Sequence, residues 1–270
     1  MKKIFIFTLI GSITMGIFSF KGKETVKPML GMILLEEANS IQMDKVVREL
    51  KESWKLTLRE MESAKETSIL VIDGYRIAIA NMPVPIPGDE IKAAAEYNYF
   101  WQNGVEEASK HKEHVILSIM NAGKDNVKEN ILFNQVAAAI LNHSKALGVY
   151  IGGRTLLLKK DFYLANTEMM SEQDLPLYNW IYFGLRQEKG KQSIYTYGLA
   201  DFNKPEMEIV NSNKSMAELS EIMFNMAHYV VASDVILKDG ETIGMSATQK
   251  LEISYSKGKY LDGKTLKIKY

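Results

Sequence analysis

Two of the chain's three Asp-Gly pairs, Asp73-Gly74 and Asp239-Gly240, stand between runs of strand-forming residues and constrain the fold more than any other feature. An Asp-Gly step in that setting is first of all a tight hairpin turn, because type I′ geometry needs the positive φ that Gly supplies. The first pair is flanked by Ile69-Leu70-Val71-Ile72 and Arg76-Ile77-Ala78-Ile79-Ala80. The second lies between Val235-Ile236-Leu237 and the alternating run Leu251 to Ser256.

Around these turns the chain alternates between the two hydrophobic periods. Leu30 to Leu35 reads as a buried strand, and Met43, Val46, Val47, Leu50 and Trp54 recur at helical spacing with Ser40 as N-cap. Met82-Pro83-Val84-Pro85-Ile86-Pro87 cannot continue a central ladder, since each proline removes a donor. It delivers the chain to a helix starting at Asp89 with Ile91, Ala94, Ala95, Asn98 and Trp101 along one stripe. Val115 to Met120 reads as a strand, Asn130 to His143 as a buried helix and Leu147 to Ile151 as a strand.

The first half thus reads β-α-β-β-α-β-α-β, an α/β (α+β) arrangement with mixed sheets and ferredoxin-like βαββαβ character. Leu156 to Pro176 is the least regular stretch. A boundary there divides a first α/β subdomain, residues 30–160, from a second, residues 161–270. The second is β-rich, with strands at Trp180 to Leu185, Ser193 to Tyr197, Glu206 to Val210, Leu251 to Ser256 and Thr265 to Tyr270. Its one helix, Met216 to Ala232, opens with the capping box Ser215-x-x-Glu218.

At 270 residues and 46% hydrophobic, the chain can bury a core without staples. Thirty-three basic residues against 33 acidic leave no global field for nucleic acid or an anionic membrane, and no basic run is interleaved with aromatics. The absence of cysteine removes disulfides, thiolate metal sites and thiol nucleophiles. Lys2 and Lys3 precede an uncharged apolar run from Ile4 to Phe20, closed by Lys21, Lys23 and Glu24. Residues 1–20 read as a cleaved secretory signal or a retained N-terminal anchor, followed by a linker over 21–29. The expectation is an exported protein, periplasmic or extracellular, with membrane contact only through residues 4–20 where the leader is kept.

Gly31-Met32-Ile33-Leu34-Leu35, the Met82 to Pro87 segment, His111-x-x-His114, Tyr197-Gly198-Leu199, Lys204-Pro205-Glu206-Met207-Glu208-Ile209 and the Asp239 to Gly244 block occur in that order. Together they resemble the bacterial domain-of-unknown-function family 4261 (DUF4261), over about Gly31 to Tyr270. The resemblance implies an α/β domain without an established activity.

Candidate chemistry rests on few residues. His111 and His114, an i, i+3 pair, could share a metal with a nearby carboxylate, although the helix-to-strand junction there breaks the alignment. Structurally, His111 suits a helix C-terminus and His114 a strand entry. His143 likewise suits a helix end, and His228 a packed helix position. Glu206 and Glu208, at i, i+2 on a strand, share a face about 7 Å apart and with His114 form the acid-base candidates. The wet face of a strand is the plainer account of them. Asp239, Glu241 and Thr242 stand on a turn, Pro85 lies in a stiff segment suited to recognition, and Arg154 follows Gly152-Gly153 in a possible anion nest. These five are the binding candidates.

With no strong catalytic constellation, the reading is a non-catalytic binding or interaction domain for a protein or small-molecule partner, without a cofactor and without nucleic acid. The alternative is a metal-assisted or carboxylate-driven hydrolase built on His111, His114, Glu206 and Glu208. A weaker alternative is an immunity or toxin-neutralising protein.

Overall fold

The computed structural model describes residues 28–64, 66–171, 173–246 and 248–270; the leader and most of the linker lie outside them. The first part contains β1 (Met29–Leu35), α1 (Met43–Glu52), β2 (Leu58–Ser63), β3 (Thr67–Ile72), β4 (Tyr75–Met82), α2 (Glu90–Glu96), α3 (Gly104–Ala108), β5 (Glu113–Ile119), α4 (Asn126–Asn142), β6 (Ala146–Ile151), β7 (Leu156–Lys159) and α5 (Lys160–Glu168). The second contains α6 (Leu177–Trp180), β8 (Tyr182–Glu188), β9 (Lys191–Tyr197), β10 (Met207–Ser212), α7 (Met216–Ala232), β11 (Thr242–Ile243), β12 (Leu251–Lys257) and β13 (Lys264–Ile268).

The protein is α/β, with two sheets. The first has seven strands in the order β2-β3-β4-β5-β1-β6-β7, and every pairing in it is antiparallel. Its centre, β4-β5-β1-β6 with α1 and α4, is the ferredoxin-like arrangement: β5 lies between β1 and β4, and β1 between β5 and β6. The mixed pairing is in the six-stranded second sheet, β11-β12-β13-β10-β9-β8, where β10 and β13 run parallel.

Strand alternation sends successive β1 side chains to opposite faces. Ile33 and Leu35 join Val46 and Leu50 of α1, Leu132, Phe133 and Val136 to Leu141 of α4 and Tyr163 of α5 in the main core. Leu34 faces the other way, with Ile86, Ile91, Trp101, Tyr150 and Leu157. A third core packs Leu219, Ile222, Met223 and Met226 of α7 against Ile194, Met207, Ile209, Ile253 and Leu266 of the second sheet. Val127 and Ile131 of α4 also pack on this third core, so α4 serves two cores and its Ala137-Ala138-Ala139 centre is fully enclosed.

Several elements differ from the sequence expectations. The charged strand β2 escapes the hydrophobic pattern because it is a sheet edge, with Met61 exposed. The helix after Asp89 stops at Glu96. There the Asn98 amide takes the Phe100 N–H (2.9 Å) and donates to the Leu157 carbonyl, an Asx turn that competes with the helix. Ser40 does not cap α1; its hydroxyl accepts from the Lys145 N–H (3.2 Å). α4 begins at Asn126 under an Asp125 cap, four residues before the expected start. Most of the stretch read as least regular is β7 running directly into α5 with no turn residue between.

The Asp73-Gly74 and Asp239-Gly240 turns also diverge. Asp73 (φ 49°) and Gly74 (φ 82°) form the tight turn that pairs Ile72 with Tyr75. At the second pair only Gly240 has positive φ (80°), Val235 to Leu237 form no strand, and the short hairpin β11–β12 closes through residues 244–250. The capping box is present, Ser215 accepting from the Glu218 N–H (3.2 Å) and Glu218 from the Ser215 N–H (2.9 Å), an arrangement worth about 1 kcal/mol.

Candidate functional site

His111 lies in the loop between α3 and β5, against the Ala108 carbonyl, and His114 lies in β5; both meet the proline segment on the second face of the first sheet. Each is buried. His111 donates from Nδ1 to the Ala108 carbonyl (2.7 Å) and accepts at Nε2 from the Ile86 N–H (2.9 Å), so both ring nitrogens are taken. His114 donates from Nδ1 to the Val84 carbonyl (2.8 Å). Burial pushes both imidazoles below their ordinary pKa, and for His114 the neighbouring His111 adds to it. The pair fastens the proline segment to the sheet: Ile86 goes inward, while Val84 and Pro85 face solvent. Among the described residues no three His, Asp or Glu side chains are grouped to hold a metal ion.

Glu206 and Glu208 flank Met207 at the start of β10 and face different tasks. The Glu206 carboxylate accepts from the Thr196 hydroxyl (2.7 Å) and from the N–H groups of Gly198 (2.8 Å) and Ala200 (3.1 Å), tying down the turn after β9. Burial raises its pKa against the pull of these donors. Glu208 is 0% exposed; it accepts from the Lys259 (3.0 Å) and Tyr260 (3.1 Å) N–H groups and pairs with the Lys267 ammonium from the neighbouring strand. Burial would raise its carboxyl, but the Lys267 bond and the two backbone donors outweigh it, and its pKa lies below the ordinary value. The structure therefore brings neither glutamate into a shared acid-base pair with His114, whose partner is the proline segment.

Arg154 is buried at the junction of the two sheets. Its guanidinium donates to Asp201 (2.7 Å), Asn130 (2.8 Å) and the Trp180 carbonyl (3.0 Å), and lies 5.6 Å from the Phe202 ring centroid. It is a clamp between elements of both halves. The other histidines are similarly engaged: His143 pairs with Glu49 (2.9 Å), and His228 accepts from the Leu175 N–H (3.2 Å).

The Asp239 block has split roles. Asp239 accepts from the Tyr255 N–H of β12 (2.7 Å) and Glu241 from the Lys238 N–H (2.9 Å), so both carboxylates brace the turn. Glu241 and Thr242 also line an open groove of about 920 Å³ between α7 and residues 235–245. Tyr229, Ile236 and Met245 stand in it at 47%, 52% and 54% exposure, an apolar group left open to water.

Residues 195–269 match the model of a family described as Domain of unknown function (DUF4261). The chain contains a DUF4261 domain. The match runs from β9 to the end of β13, and takes in Glu206, Glu208, the Asp239 block and the groove. Of the six motifs that carry the resemblance, the three from Gly31 to His114 fall outside the DUF4261 segment, as do Arg154 and Pro85. No curated protein and no solved structure matches the chain. Among the described residues no helix is long and apolar enough to cross a membrane.

The groove residues Tyr229, Ile236 and Met245 were not among the sequence candidates. Val235-Ile236-Leu237 has the composition of a buried strand, and only Leu237 is buried. Nothing in a three-residue apolar run separates the inward side chain from the outward one.

Proposed function

We propose that this chain is an exported, non-catalytic binding module that takes a protein or small-molecule partner in the groove of its DUF4261 segment. What supports it is the contrast between two sets of residues. The imidazoles, carboxylates and guanidinium that chemistry would need are committed to bracing backbone or to ion pairs. Three exposed apolar side chains, Tyr229, Ile236 and Met245, by contrast, stand with Glu241 and Thr242 along one groove. A mainly apolar concavity with a few polar groups is the usual form of a binding site. Export is supported by the Lys2-Lys3 start and the apolar run that follows.

The test uses the tagged chain without its leader to capture components from the exported fraction. Each identified component is then titrated against purified wild type and Ile236→Asp. The expected result is binding weakened at least tenfold, about 1.4 kcal/mol or more, with an unchanged melting curve, because Ile236 is more than half exposed. Equal affinity for both proteins removes the groove from the proposal. Fractionation that finds the chain in the cytoplasm removes export.

A further inference from the structure

The connection between β4 and α2 crosses the second face of the first sheet with three prolines among its residues, so it lacks ladder hydrogen bonds there. Two side chains hold it. His114 donates from Nδ1 to the Val84 carbonyl (2.8 Å), and the Ile86 N–H donates to His111 Nε2 (2.9 Å). The proton positions follow from the partners. The Ala108 carbonyl, 2.7 Å from His111 Nδ1, can only accept, so Nδ1 carries the hydrogen and Nε2 presents its lone pair to Ile86. Beside that bond the Ile86 side chain packs among Leu34, Ile91 and Trp101.

No counter-charge waits for an imidazolium here. The charged residues on the packed elements are Arg76 at the far end of β4, Asp89 just before α2, Glu90, Lys92 and Glu96 of α2, Glu106 and Glu107 of α3 with Lys110 just after it, Lys112 and Glu113 at the start of β5, and Lys159 of β7; β1 and β6 carry none. Glu90 meets the Tyr150 hydroxyl (3.4 Å) and Glu106 pairs with Lys110 (3.1 Å). Glu107 holds Trp101 and Lys159, and Glu113 accepts from the Asn39 N–H (2.9 Å) and the Asn81 amide (3.3 Å). Burial therefore dominates at both rings, and the one charge that acts on His114 is the unfavourable one from His111.

We infer that His111 is a proton-operated latch: protonation at Nε2 sets two N–H donors against each other and releases Ile86, while Val84 stays tethered by His114. The asymmetry comes from the hydrogen-bond directions. His114 keeps its Nδ1–H, and so its bond to Val84, in either protonation state, and a charged His111 opposes a second proton. The latch is closed near neutrality and opens below the ordinary imidazole pKa, uncovering an apolar strip around Leu34, Ile91 and Trp101.

Amide hydrogen exchange and histidine ring NMR on the full chain between pH 8 and pH 5 test this. The expected result is that Ile86 protection falls about tenfold per pH unit once His111 is protonating, while the Leu117 amide in β5 holds its protection. His111→Gln, which keeps an acceptor at the same position without a titrating ring, is expected to show flat Ile86 protection. The inference is overturned if Ile86 loses protection equally in His111→Gln, or only together with Leu117. Should the variant not fold, the wild type decides: coincident midpoints for the His111 ring and Ile86 exchange uphold the latch, and a ring that titrates without Ile86, or never titrates before unfolding, refutes it.

Discussion

Replacing Lys267 by Met isolates the energetics of the DUF4261 sheet. The Glu208 carboxylate has no exposure to water and keeps three donors: the Lys267 ammonium and the N–H groups of Lys259 and Tyr260. Breaking a buried pair from one side typically costs about 3–5 kcal/mol, because the remaining charge is stranded. Here two backbone donors stay and the Lys267 side chain is 21% exposed, so the low end, about 3 kcal/mol, is expected at pH 7. The sign with pH follows from the direction of the shift. In wild type the Glu208 pKa is lowered, so its contribution is present above the unfolded carboxylate value and is lost as pH falls through the folded one. Without Lys267 burial prevails and the pKa rises, so the variant's deficit is largest at neutral pH and shrinks as Glu208 takes up a proton. Urea unfolding at pH 7 and pH 5, with exposed Lys250→Met as control, measures both. A deficit below about 1 kcal/mol at pH 7, or one that grows toward pH 5, would refute the reasoning.

Two further outcomes follow from packing. Arg154→Met removes the guanidinium from Asp201, Asn130 and the Trp180 carbonyl; since Asp201 is 37% exposed and can rehydrate, a loss of about 3 kcal/mol is expected in denaturant unfolding, and less than about 1 kcal/mol would show that the junction does not depend on it. Gly184→Ala would place a Cβ 2.1 Å from a Tyr195 ring carbon, so the ring must leave its stack with Tyr260; the expected cost is about 1–3 kcal/mol, and unchanged unfolding would count against the close packing described.

Much of the architecture was legible wherever a long element has a single exposed face. α7 shows its apolar stripe and its capping box in the sequence, and the Asp73-Gly74 turn announces β3 and β4, because propensity, turn chemistry and burial agree there. β2 was not legible, since an edge strand need not alternate, and neither was the break after Glu96, which depends on the distant Leu157 carbonyl. The candidate residues were chosen by chemical type, and type is silent about partners. Glu206 and Glu208 share a spacing but are held by donors from different loops, and Arg154 follows two glycines but spends its guanidinium inside.

By itself the sequence determined the α/β class, the ferredoxin-like order of the first half, the capped helix of the second and the resemblance to DUF4261. The first three rest on local periods and short-range turns, and the resemblance on the order of six short motifs. Tertiary structure alone decided that two histidines 25 and 30 residues from their partners pin the proline segment, and that Ile236 faces water beside Tyr229. The physical reason is that a side chain's role is set by which donors, acceptors and apolar surfaces reach it, and those come from segments far away in the chain.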